Sequence, residues 1–155
     1  MPRISRTRTI AVEPARVWAL ISDPHSLPRW WPRTLRVEDV RGEGGKRAHW
    51  TTVLATERGT GVRADFRCTG STEGARYAWE QEIEGTPFER ILRSSKLEIG
   101  LDGERGGDTR VTLTSDESLR GLSRLGSTMM RGASRRRLDE ALEGIERALV
   151  GEPGG

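Results

Sequence analysis

The sequence predicts an α+β domain: a seven-stranded antiparallel sheet, two short helices after the first strand, and one long C-terminal helix. Three observations carry this reading. Val62, Ala64, Phe66 and Cys68 alternate with Arg63, Asp65, Arg67 and Thr69, and Tyr77, Trp79, Gln81 and Ile83 alternate with Ala78, Glu80, Glu82 and Glu84. A period of two with one apolar parity belongs to strands that bury a single face. Glycine-containing segments at 42–45, 57–61, 71–75, 85–87 and 103–107 punctuate the chain at the spacing of a meander. After Ser118 the period becomes helical, with Leu138, Leu142, Ile145 and Leu149 on one stripe.

Taken in order, Arg3 to Val12 reads as a first strand, with Ile4, Ile10 and Val12 on one parity, although Arg6 and Arg8 share it. The period then switches. Pro14 suits a first helical turn, Val17, Trp18, Leu20 and Ile21 form a face, and Asp23-Pro24 ends the helix. Three prolines, Pro24, Pro28 and Pro32, leave room only for a turn or a second brief helix, which delivers the pair Trp30-Trp31. Further along, Leu97, Ile99 and Leu101 face inward against Lys96 and Glu98, and Val111 and Leu113 against Arg110, Thr112 and Thr114. In the final helix, Leu122, Leu125 and Met129 form a second stripe before Gly132, so its first half, with Met129 and Met130, borders a space.

A length of 155 residues fits one domain, residues 1–150, with 151–155 a flexible tail. Hydrophobic residues are only 34% of the chain, but five Trp concentrate apolar area, which argues against disorder. The net charge of +3 comes from 26 basic against 23 acidic residues. The densest run, Arg135 to Arg137, is followed by Asp139, Glu140, Glu143 and Glu146, so it reads as a solvated helix face and not as a nucleic-acid patch. A lone Cys, Cys68, excludes an internal disulfide, no Cys/His spacing suits a metal, and a cytoplasmic setting is expected. The N-terminal segment has charges without an apolar core, and no run approaches a membrane span.

The element order, the segment EPARVWALISDPHSLPRWWP at 13–32 and the run WEQEIEGTPF at 79–88 resemble the START-like (SRPBCC) superfamily, in its polyketide cyclase/dehydrase and lipid-transport branch. The resemblance covers nearly the whole chain. It implies the helix-grip fold, a curved sheet wrapped around the C-terminal helix, enclosing a cavity for a small hydrophobic molecule. Members that cyclise aromatic polyketides use a Ser and an Arg facing inward on the strand occupied here by Val62 to Gly70. By parity the nearest inward positions are Cys68 and Gly70, so that pair is not reproduced.

No nucleophilic triad is visible around the two His residues, His25 and His49, and the turn GEGGK at 42–46 lacks Walker spacing. The informative exceptions are polar residues on the apolar parity: Gln81, Arg93, Ser95, Ser115 and Glu117. A hairpin centred in Gly103–Gly107 would set Ser95 opposite Ser115 and Arg93 opposite Glu117, and one around Gly85–Pro87 would set Gln81 opposite Arg93. The expectation is a polar row Gln81, Arg93, Glu117 that orients a ligand, against the plainer reading of a paired-off row at the solvent rim.

The expected binding set is therefore Trp30, Trp31, Trp50, Phe66, Cys68, Tyr77, Trp79, Leu97, Met129 and Met130 as walls, with Gln81, Arg93, Ser95, Ser115 and Glu117 as polar members. Each aromatic residue has an equally simple role as core. The leading reading is a protein that binds a lipid, polyketide or aromatic metabolite, with no cofactor and no metal, as monomer or homodimer. The first alternative is a polyketide cyclase or dehydratase in which Glu117 or Tyr77 moves protons. The second is a chaperone-like module that receives a protein segment in its groove.

Overall fold

A computed structural model describes residues 3–42, 47–56, 59, 61–121 and 124–151. Leu122 and most of the expected tail, 152–155, lie outside the described residues, and so does the side chain of Leu125. Strand β1 (Arg3–Ile10) is followed by helix α1 (Pro14–Ile21), a short 3-10 turn (Pro24–Ser26) and helix α2 (Leu27–Trp30). Then come β2 (Thr34–Arg41), β3 (His49–Leu54), β4 (Val62–Thr72), β5 (Arg76–Glu82), β6 (Leu92–Gly103), β7 (Thr109–Leu119) and helix α3 (Arg124–Val150).

All seven strands form one sheet in the order β1-β7-β6-β5-β4-β3-β2, with antiparallel neighbours throughout. One face is apolar. Trp50, Ala64, Cys68, Tyr77, Trp79, Leu97, Ile99, Leu101, Val111 and Leu113 are buried on it, together with Leu138, Ala141, Leu142 and Ile145 of α3. Helix α3 packs on β1, β7, α1 and α2.

The two arginines that break the parity of β1 have partners on that helix. Arg6 Nε donates to Asp139 at 2.8 Å, and Arg8 reaches Glu146 at 3.3 Å. Such partners lie more than a hundred residues away, and no local pattern announces them.

Close packing of α2 on α3 depends on Gly144. A Cβ there would lie 2.9 Å from Trp30 Cα and closer still to the Trp30 carbonyl oxygen, so only glycine lets the two backbones meet. That contact fixes where α2 presents Trp30 and Trp31 over the inner face of the sheet.

Candidate functional site

Two expected registers are corrected. In the β6–β7 hairpin Ser95 stands opposite Glu117 and Leu97 opposite Ser115, in place of the pairs Ser95–Ser115 and Arg93–Glu117. The turn is centred one residue later than Gly103–Gly107 alone suggests, because Glu104 N–H closes it on the Asp108 carbonyl at 2.8 Å. Between β5 and β6 the pairs run from Arg76–Gly100 to Glu80–Lys96, a register that does not set Gln81 opposite Arg93. A second 3-10 turn, Pro87–Arg90, lengthens this connection. Both slips are by two residues, so the side chains within these paired segments keep their predicted faces.

Arg93 leaves the row. It sits in a register irregularity of β6 between the pairs Leu92–Leu119 and Ser94–Ser118, and is exposed. The polar row on the inner face is therefore Gln81, Ser95 and Glu117, of which Gln81 is buried and the others half-buried. Glu117 is engaged by the Arg137 guanidinium of α3, so it is a paired carboxylate. Ser115 is buried beside it on β7.

A bulge in β4 corrects another expectation. Cys68 pairs with Trp79 but Gly70 pairs with Ala78, so the extra residue Thr69 turns Gly70 to the outer face, under the Arg76 guanidinium. Ser71, opposite Tyr77, takes the inward place. The arginines of this strand serve the outer side: Arg63 pairs with Glu38 at 2.7 Å and Arg67 with Glu80 at 3.3 Å. His49 also lies outside, 3.2 Å from Glu82, while Trp50 takes the inner face.

The aromatic residues expected as cavity walls converge on Trp79. Its ring centroid lies 5.4 Å from Trp31, 5.8 Å from Trp50, 6.0 Å from Trp30, and 6.4 Å from both Phe66 and Tyr77. Most contacts are edge-to-face, and Trp50 stacks on Phe66 at 6.1 Å. These rings therefore pack into the core, with Trp31 and Phe66 half-buried against it. Leu97 is buried behind them. Met129 does not join: it is 68% exposed, and Met130 is half-buried. The middle of α3, not its first turns, borders a cleft of about 370 Å³ through Ala133, Arg136, Arg137 and Glu140, facing Pro32 and Arg33.

The distinctive chemistry of the inner face is a set of buried donors. Trp30 Nε1, Trp50 Nε1, Tyr77 Oη and Gln81 Nε2 have no hydrogen-bond partner among the described residues, although their side chains are only 2%, 2%, 1% and 8% exposed. An unpaired buried polar group costs about 1–3 kcal/mol, so three on the inner face and one on the α2 helix above it require a reason, beside the unpaired Thr34 Oγ1, Asp116 Oδ1 and Arg137 Nε elsewhere. Sequence periodicity located these residues but not their unmet bonds, which depend on what each side chain finds across the cup.

Burial, reinforced by the neighbouring Cys68, pushes the Tyr77 phenol well above its ordinary range. Tyr77 therefore holds its proton. The linkage has a definite sign. Below about pH 10 folded and unfolded chains both keep this proton; above it the unfolded state releases a proton that the fold retains, so stability falls as pH rises. Urea unfolding between about pH 9 and 11 is expected to show a loss of at most about 1.4 kcal/mol per pH unit that disappears in Tyr77→Phe. Tyr77 is the chain's single tyrosine, so its ultraviolet tyrosinate band reports this group alone.

With the geometry in place, the family described as polyketide cyclase / dehydrase and lipid transport matches residues 1–150. The chain belongs to this family. No curated protein matches it in sequence. Among solved structures, this family member resembles a START superfamily protein from Mycobacterium smegmatis, with a TM-score of 0.75 at 10% identity over 96% of this chain and 97% of that one. The protein XoxI from Bacillus cereus gives a TM-score of 0.72 at 18% identity, over 97% and 96% of the two chains. The di-domain ARO/CYC BexL gives 0.78 at 17% identity, with 99% of this chain spanning 48% of that one, about half its length. At such identities the likeness establishes the fold. No helix among the described residues is long and apolar enough to cross a membrane, and no group of three His, Cys, Asp or Glu among them could hold a metal ion.

Proposed function

We propose that this chain binds one small, largely apolar molecule on the inner face of its sheet, between the aromatic cluster and the helices α2 and α3. The observation that carries the reading is the set of unmet donors at Trp30, Trp50, Tyr77 and Gln81. A core selected only for stability gains by replacing such groups with apolar residues of the same shape. Donors kept in an aromatic surrounding are explained by a ligand that supplies acceptor oxygens. Family membership supports the same conclusion.

The ligand reaches this face beside α2. Trp30 and Trp31 line a cleft of about 370 Å³ with Pro28, Leu35, Ala55 and Glu143, and they also touch Trp79. Trp31 and Phe66, the two half-buried rings of those that touch Trp79, are the ones that must move to admit a guest. Tyr77 and Glu117 act here by donation and by ion pairing, so binding accounts for the site without a proton-transfer step.

Titration with a naphthalene ketone, followed by tryptophan fluorescence, tests this. Quenching that saturates at one molecule per chain, with a rise in melting temperature, is the expected result. Unsaturable quenching without stabilisation would sink the reading.

A further inference from the structure

We propose that the cleft between the middle of α3 and the turn from α2 into β2 holds an anionic group carried by the ligand, a carboxylate or phosphate on its apolar body, with Arg33 and Arg136 as partners. This rests on the binding function above and specifies the class of ligand. Two clefts of about 370 Å³ each lie along α3, and Pro32, Arg33 and Glu140 line both, so one continues into the other. The first has Trp30 and Trp31 in its wall and is the ligand's route; the second adds Ala133, Arg136 and Arg137. The backbone places Arg33 at their junction under strain. Its φ of 60° is in the left-handed region, where a non-glycine residue costs about 1 kcal/mol or more, and the turn is held by Ala55 N–H donating to the Arg33 carbonyl at 2.8 Å. Glycine would occupy this position without that cost, yet a guanidinium stands there.

The charges in the cleft select the class. Arg33 and Arg136 are exposed and make no ion pair among the described residues. Arg137 engages Glu117, and 38% of its side chain remains exposed where it lines the cleft. Glu140 is the one carboxylate in that lining, so even with Glu117 counted the guanidiniums are in excess. The adjoining cleft adds Arg29 and Arg147 against Glu143, which preserves the sign. A cation is repelled here, and a neutral group leaves the two free guanidiniums as they were. A carboxylate or phosphate gains charge-assisted hydrogen bonds to their planar forks. Because Arg33 and Arg136 face solvent, the gain is modest and weakened by salt. The apolar body of such a ligand continues from this cleft past Pro32 to Trp31, which lies 5.4 Å from Trp79.

Two probes of one shape test the subsite: naphthylbutanoate, which carries the charge, and naphthylbutanamide, which does not. In low salt the native chain is expected to bind the acid about three- to tenfold more tightly than the amide, the worth of two solvent-facing ion pairs, and ~1 M sodium chloride should reduce that preference to less than about twofold. Arg33→Gly and Arg136→Gln should each lower the preference and leave amide affinity unchanged. Arg33→Gly also relieves the backbone, so its melting temperature should be at or above that of the native chain, which shows that the variant folds. Arg135→Gln removes the same charge from an exposed position of α3 that lines neither cleft, and should keep the preference. Equal affinity for both probes, a preference that survives both cleft variants, or an equal loss in Arg135→Gln overturns the subsite and leaves the binding function standing. Inorganic phosphate that raises the melting temperature by itself overturns it in favour of a free-anion site. Failure of both probes to bind overturns the binding function with it.

Discussion

Trp79→Ala is expected to cost about 3–5 kcal/mol of folding stability, the range for truncating a fully packed aromatic side chain. For a chain of this size that is a fall in melting temperature of roughly 6–20 °C. The reason is position: Trp79 is the ring that Trp30, Trp31, Trp50, Phe66 and Tyr77 all contact, so its removal leaves five large side chains facing one void. It also connects the sheet to α2, so the loss spreads beyond β5. Trp79→Phe keeps part of the contact surface and should cost less than half as much. Thermal unfolding followed by near-ultraviolet circular dichroism measures both effects. A fall of less than about 1 kcal/mol for the Ala variant would mean that the cluster is not the centre of the core.

The second large effect concerns the seam between α2 and α3. Ala normally stabilises a helix interior by about 1 kcal/mol relative to Gly. Gly144→Ala is expected to destabilise by about 1–3 kcal/mol instead, because the new methyl meets the backbone of Trp30, which cannot rotate away as a side chain would. Gly132, in the same helix, provides the control. A Cβ there meets no atom within 4 Å, so Gly132→Ala should stabilise by up to about 1 kcal/mol. Opposite signs for one substitution at two positions of one helix are read directly from paired denaturation curves. Stabilisation by both would show that α2 and α3 are not in backbone contact.

The fold was legible because period and punctuation agreed along most of the chain. Tyr77, Trp79 and Gln81 fall on one parity, and the structure places all three on the inner face. Pro14 and the Asp23-Pro24 step bound α1 as helix chemistry requires. Register was less legible, since it depends on turn geometry that composition does not specify. Gly106 and Gly107 both adopt positive φ, and the turn they form shifts the β6–β7 pairs by two residues, which moved Arg93 out of the polar row and brought Ser95 in.

Features that depend on distant partners were beyond a reading of spacing. The bulge at Thr69 reverses Gly70, the acids of α3 explain Arg6 and Arg8, and Arg137 reaches Glu117 from another element. Met129 was expected to border the ligand because its helix carries apolar residues there, yet the face it occupies is exposed. The unmet donors, on which the functional reading rests, depend on three-dimensional packing and have no signature in the sequence.

The most direct test is a nitrogen–proton correlation spectrum of the indole N–H groups, recorded while the naphthalene ketone is added to saturation. Five tryptophans give five resonances. The account predicts that those of Trp30 and Trp50, whose indole donors are buried without partners, move together with a single saturating constant as the ligand occupies the cup. Resonances of Trp30 and Trp50 that remain fixed while the ketone binds elsewhere would contradict it.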